Sequence, residues 1–233
     1  LALDAPLVVV LAHAPGDVKP TSTLAAVSAR ARRLGVFPGQ TVAEASSLAA
    51  GLDVRRVAEE DIAHALGRVA EIAHGFAPTA AVVLPDTVLL DVTGASHLAG
   101  GEAELLDELT SRVRALGHRV RGAIAGGPAI ARAAKCAAID EDIDAMPMGY
   151  ETLVPPGGDR LALAALPLAA LPLERDALVW LARLGLVTVA DLARQPRASV
   201  VSRLGGRAAD VLALLDGDDR APLVPFALPV VIA

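Results

Sequence analysis

The sequence predicts a mixed α/β body followed by a small all-α domain. Three observations predict it. Through the first two-thirds of the chain, short β-type apolar runs alternate with segments of 3.6-residue apolar periodicity. Residues 151–158 (ETLVPPGG) then have linker composition. Beyond that linker the pattern is helical.

Taken in order, residues 7–11 (LVVVL) read as a buried strand and residues 13–21 (HAPGDVKPT) as a polar loop. Residues 23–34 read as one helix, closed by Gly35 as a left-handed cap. Thr41 precedes Glu44 by three positions, the spacing of a capping box for a helix from Val42 to about Ala50. Residues 59–75 place Ile62, Leu66, Val69, Ile72 and Ala73 on one helical face. Residues 80–84 and 88–92 read as two strands around the tight turn Pro85-Asp86-Thr87, hence a hairpin. Residues 102–116 form an amphipathic helix with Leu105, Leu106, Leu109, Val113 and Leu116 on its apolar face. Its first turn carries Glu102 and Glu104, where the helix dipole favours anions. A strand over residues 119–125 and a small-residue helix over 128–138 follow. In the all-α part, helices are expected at 175–184, 189–193, 197–203 and 206–215. The Pro-interrupted tail 221–233 (APLVPFALPVVIA) reads as extended.

Composition narrows the function. Hydrophobic residues make up 54% and aromatics only 2%, so the core must be Ala, Val and Leu. The 21 Lys and Arg against 27 Asp and Glu give a net charge of −6, which argues for weak DNA binding, since phosphate contacts supply most nucleic-acid affinity. The single cysteine, Cys136, excludes an internal disulfide and a Cys-cluster metal site, and reads as a small buried apolar residue. It fits a reducing cytosol. No run of 18 apolar residues and no signal peptide is visible, so a cytoplasmic protein without a membrane span is expected. The chain starts at Leu1 rather than Met and reads as a fragment. His64, His74, His97 and His118 lack metal-ligand spacing. Gly126-Gly127-Pro128 lacks the Lys and Ser/Thr of a phosphate-binding loop. No metal and no cofactor is expected.

Three stretches carry a resemblance. ARARRLGVFPGQTVAEASSL (29–48) resembles the fingers segment of Y-family DNA polymerases. LPDTVLLDVTG (84–94) resembles their palm motif S-x-D-E-A-F/Y-L-D-V-T. LPLERDALVWLARLGLVTVADLARQP (171–196) resembles their helix-hairpin-helix thumb. The order and spacing match as well. The resemblance implies fingers over 1–52, a ferredoxin-like α/β palm over 53–154, a helical thumb over 155–219 and an extended tail over 220–233. The family's little finger would follow Ala233.

The departures fall at functional positions. Two-metal phosphoryl transfer needs several carboxylates close together. Asp86 matches the family's Asp, but Thr87 replaces the adjacent Glu, and a neutral hydroxyl is a poor Mg²⁺ ligand. Asp91 cannot substitute, because strand alternation puts it on the opposite face from Asp86. Leu84 replaces the motif's Ser. The family's other metal-binding strand would precede Leu1. Ala29 stands for the triphosphate-binding Tyr, while Arg32 matches the family's Arg. AGGPAIARAAK replaces a lysine-rich run that touches phosphates, with Lys135 displaced. Pro172-Leu173-Glu174-Arg175 replaces the thumb's P-G-x-G loop, losing both glycines, and Glu174 adds repulsion.

Within the family, DVTGASHLAGGEAELLDEL is most similar to the ImuB type, polymerase-like proteins of bacterial damage-induced (SOS) mutagenesis cassettes. That resemblance implies a non-catalytic adaptor for translesion synthesis. It would bridge an error-prone replicative-type polymerase, the sliding clamp and a RecA-like mutasome protein, with clamp binding through regions beyond residue 233. The alternatives are a low-activity translesion polymerase using Asp86 and an upstream Asp, and a DNA-binding module without chemistry. At residue level, Asp86 is either a vestigial metal ligand or an ordinary turn Asp after proline. Arg30, Arg32 and Arg33 are either phosphate contacts or a solvated basic helix end. Arg112, Arg114, Arg119 and Arg121 could form a basic patch, which Asp107 and Glu108 would neutralise.

Overall fold

A computed structural model describes residues 6–12, 15–134 and 150–227. They fold as two compact units. One takes the described residues up to Val69 together with Val82–Val88; the other takes Ala70–Ala81 and the described residues from Leu89 onward.

The first unit is built on a three-stranded sheet of order β2-β1-β3. Strand β1 (Leu7–Leu11) alternates half-buried and buried residues, with Val8 and Val10 facing the core. It runs antiparallel to β2 (Leu24–Val27) and parallel to β3 (Asp53–Val57), in the register Leu7 to Asp53 through Leu11 to Val57. The expected helix over 23–34 is therefore wrong in its first half. Leu24-Ala25-Ala26-Val27 is helix-compatible by propensity, but pairing with β1 satisfies its backbone and buries Leu24. The change of structure falls at Ser28, whose hydroxyl accepts from Leu7 N (3.0 Å) and caps α1 (Ala29–Arg33) by accepting from Ala31 N (3.3 Å). Gly35 follows α1 with φ 85°, the expected left-handed position. The capping box of α2 (Val42–Leu48) is present, with Glu44 N donating to Thr41 Oγ1 (3.2 Å) and Thr41 N to Glu44 Oε2 (2.7 Å). Strand β3 was not expected. DVRRV has no apolar run, and its pairing with β1 defines it.

Helix α3 (Glu59–His74) lies where the sequence places it, and so does the hairpin of β4 (Ala80–Val83) and β5 (Thr87–Leu90), except that its turn is Leu84-Pro85-Asp86 and Thr87, expected in the turn, opens β5. Three residues join the paired strands, and the Leu84–Pro85 peptide is cis.

In the second unit, α4 (Glu102–Ala115) packs on β6 (Arg121–Ile124), and β7 (Tyr150–Leu153) pairs parallel with β6. The reading of 151–158 as linker is thus corrected at its start. The residues before the prolines are strand, held by register with β6 rather than by any local apolar signal. Helix α5 (Pro128–Ala134) precedes the residues outside the description, among them Lys135, Cys136 and the rest of the helix expected to 138.

The helical part begins earlier than expected, at α6 (Asp159–Ala164). It continues with α7 (Arg175–Arg183), α8 (Val189–Ala193), α9 (Arg197–Leu204) and α10 (Ala208–Leu215). Its core holds Leu163, Leu181, Val189, Val200 and Val211, and Ile130 and Ala133 of α5 belong to the same cluster. The described part of the tail, Ala221 to Ala227, forms neither helix nor strand. Phe226 N donates to the Ala80 carbonyl at 2.7 Å, so the tail meets β4.

Helix α8 has a second capping box. Asp191 accepts from Thr188 N (2.8 Å), Thr188 Oγ1 (2.9 Å) and Val187 N (3.1 Å), and pairs with Arg194. The Thr188 backbone and hydroxyl contacts, then the Val187 contact, hold its carboxyl far below the usual range. A depressed carboxyl adds stability above its unfolded pKa of about 4 and loses it as pH falls through the folded value. The melting temperature of Asp191→Asn should therefore trail the wild type from neutral pH down to about pH 5 and converge on it in stronger acid. Parallel melts across that range check this.

Candidate functional site

The hairpin turn carries the position where the sequence reading looks for metal. Asp86 is exposed, whereas Thr87 opens β5 and is 6% exposed. The Thr87 hydroxyl donates to Asp86 Oδ1 at 2.7 Å. A residue that would bring a second negative charge instead brings a donor, and it occupies one oxygen of the Asp it follows. Asp91 is engaged elsewhere. Its carboxylate accepts from Thr93 N (3.0 Å), and the Thr93 hydroxyl and backbone N–H hold its pKa below the ordinary value. Among the described residues, no three His, Cys, Asp or Glu side chains gather to hold a metal ion.

The three arginines lie on one short helix, α1. Arg30 and Arg33 are exposed and Arg32 is half-buried. They sit in the last turn, where the dipole favours cations.

The glycine turn before α5 holds what sequence reasoning missed. α5 starts at Pro128 after Gly127, so no side chain of its own can cap it. Asp219 supplies the cap from far along the chain. Its Oδ2 accepts from Ala129 N (2.6 Å) and Ile130 N (3.0 Å), and its Oδ1 from Ala221 N (2.9 Å). Asp159 Oδ1 accepts from Gly126 N at 2.9 Å. A Cβ on Gly127 would collide with the Asp219 side chain. Where the resemblance implies lysines on phosphates, two of the protein's own carboxylates take up the backbone donors. The one sequence signal was a helix start without Ser, Thr, Asn or Asp.

Glu174, at the position of the lost thumb glycines, is the N-cap residue of α7 but makes no side-chain cap there. It accepts from Arg207 Nη2 at 3.1 Å. Arg203 lies over the Trp180 ring at 4.6 Å. In the basic cluster, Arg112 pairs with Glu108 (2.8 Å) and also stands 4.7 Å over the Phe76 ring. Arg114 pairs with Glu151 (3.1 Å), which also accepts from the Thr110 hydroxyl (2.5 Å). Glu108 neutralises as expected, and Glu151 does so across 37 residues of sequence.

Residues 2–136, more than half of the chain, match the impB/mucB/samB family. The chain belongs to that family. Protein ImuB of Caulobacter vibrioides (strain NA1000 / CB15N) is 37% identical over 175 residues, 74% of this chain and 35% of that protein; ImuB of strain ATCC 19089 / CIP 103742 / CB 15 gives the same figures. This impB/mucB/samB chain thus spans about a third of the length of the curated relatives it matches. Among solved structures, DinB from Sulfolobus solfataricus superposes with a TM-score of 0.67 at 17% identity, over 94% of this chain and 62% of that one. An insertion ternary complex of Dbh DNA polymerase gives 0.62 at 17%, over 94% and 62%. At such identities the likeness concerns the fold. This impB/mucB/samB chain therefore has a Y-family polymerase-like fold, mixed α/β with a helical part, as the sequence predicts.

Proposed function

We propose that this chain is the polymerase-like body of a non-catalytic scaffold in damage-induced mutagenesis. The observation that carries the reading is the Asp86–Thr87 pair. A buried hydroxyl that donates to Asp86 stands where the family motif has a second carboxylate. One carboxylate with one oxygen already hydrogen-bonded is a weak base for two cations that each need several oxygen ligands. Asp159 and Asp219 on the Gly126–Pro128 turn support the same reading, since a carboxylate there repels a DNA phosphate. The likeness to ImuB supports the setting: SOS mutagenesis, with fingers over 1–52, palm over 53–154 and thumb over 155–219. The partners in this reading are an error-prone replicative-type polymerase, a RecA-like mutasome protein and the sliding clamp, the last through regions beyond residue 233. Arg30, Arg32 and Arg33 would give it residual, weak DNA contact.

One observation favours a second reading. Asp86 is exposed in its turn, where a cation could reach it, so a slow translesion polymerase would build its site on Asp86 and an upstream Asp.

Primer extension by the intact protein decides between them. With Mg²⁺ and then Mn²⁺ we expect no template-dependent product, and no difference between wild type and Asp86→Ala. Extension that Asp86→Ala abolishes would overturn the scaffold reading.

A further inference from the structure

The helical part carries a half-open cleft of about 210 Å³ apart from the candidate site. It lies among α6, α8 and the end of α10. Val189 and Leu215 are buried at its floor, and Ala164 and Ala193 form walls too short to fill it. Its rim is cationic. Arg160 of α6 and Arg194 at the end of α8 are both exposed.

Of the nearby acids, one is committed to the rim itself and the others to partners outside it. Asp191 pairs with Arg194 and accepts from Thr188 and Val187, which pins the arginine at the rim. Asp159 accepts from Gly126 N, Asp216 pairs with Arg197, and Asp218 pairs with Arg220. Among the described residues, the Arg160 guanidinium makes no hydrogen bond or ion pair. The cleft therefore has one cation without an acidic partner among the described residues, Arg160, beside the paired Arg194 and above an apolar floor, on a chain of net charge −6.

We propose that this cleft docks an acidic, apolar peptide segment of a partner protein, one aliphatic or aromatic side chain entering the floor while flanking Asp or Glu residues meet Arg160 and Arg194. The floor selects a peptide over a nucleic acid. A sugar-phosphate backbone satisfies the arginines but offers nothing to bury against Val189 and Leu215, whereas a leucine-sized side chain does both jobs with its acidic neighbours. The volume suits one such side chain rather than a packed helix. The inference goes beyond the scaffold reading and is independent of it, because peptide binding is measured without DNA or nucleotide.

A phage-displayed random peptide library panned on the full chain tests it. The enriched sequences are expected to carry Leu, Ile, Phe or Met flanked by Asp or Glu. The best one, synthesised with a fluorescein label, should bind saturably by anisotropy and weaken as salt rises. Its affinity should fall about tenfold in Arg160→Glu, which reverses a rim charge, and at least as far in Ala193→Trp, which fills the cleft. Both residues are exposed, so both variants should keep the wild-type unfolding curve by far-ultraviolet circular dichroism; if Ala193→Trp does not, Arg160→Glu decides alone. No enrichment, enriched sequences without acidic residues, binding unchanged in Arg160→Glu, or displacement of the peptide by a single-stranded oligonucleotide would each overturn the proposal.

Discussion

Replacing Ile130 by alanine should cost about 2–5 kcal/mol of stability, the range for deleting most of a fully buried aliphatic side chain. Ile130 is 0% exposed and belongs to the same cluster as Leu163, Leu181 and Val211, although a sequence reading assigns it to the palm and those three to the thumb. The loss should therefore be seen from the helical side. Trp180, the only tryptophan, packs against that cluster, so its fluorescence reports the core directly. Its unfolding midpoint should drop on the order of 10 °C in Ile130→Ala. A midpoint unchanged within a degree or two would mean that α5 is not part of the helical core. Ile130→Val, which keeps most of the volume, should lose only about 1 kcal/mol.

The second large effect is expected at Asp219. Removing its carboxylate leaves Ala129 N and Ile130 N without their acceptor at the start of a helix that has no cap of its own. Lost caps and orphaned part-buried donors each cost about 1–2 kcal/mol, and bonds to a charged acceptor lie at the upper end, so Asp219→Ala should lose about 2–3 kcal/mol. Hydrogen exchange gives the sharper readout: the Ala129 and Ile130 amides should lose protection while those of α9 keep theirs. Asp219→Asn retains a carbonyl acceptor and should recover part of the difference. If exchange at both amides is unaltered in Asp219→Ala, the cap is not what orders this turn.

These two residues also mark where sequence reasoning reached and where it stopped. Signals that live within one turn were legible. The Thr41–Glu44 capping box, the hairpin around Pro85-Asp86 and most of the apolar face of α4 all depend on neighbours a few positions apart; on that face Leu105, Leu106 and Val113 are buried, but Leu116 is exposed beyond the helix end and Thr110 is buried instead. Strands fixed by distant pairing were not. Leu24–Val27 reads as helix until β1 lies beside it, and Asp53–Val57 and Tyr150–Leu153 have no apolar run to betray them. At the candidate site the substitution of Thr87 for a carboxylate was visible in the motif, but its hydrogen bond to Asp86 is a matter of geometry. The Asp219 cap spans 90 positions and could be sensed only as a helix start lacking a polar residue. Glu174 shows the opposite error. Read alone it is a repulsive charge, yet Arg207 from 33 positions away meets it.

The contact between Phe226 and β4 has a consequence for solubility. Two strands alone leave backbone donors and acceptors along their outer sides, and such rows invite another chain to add itself. The Ala80 carbonyl already has Phe226 as its partner, and Pro222 and Pro225, which have no N–H to offer, precede that point of contact. The tail thus works as a guard rail. Chains cut back before Phe226 would keep their interior and yet gain a sticky margin, the kind of change that shows first as self-association at high concentration rather than as a lower melting temperature.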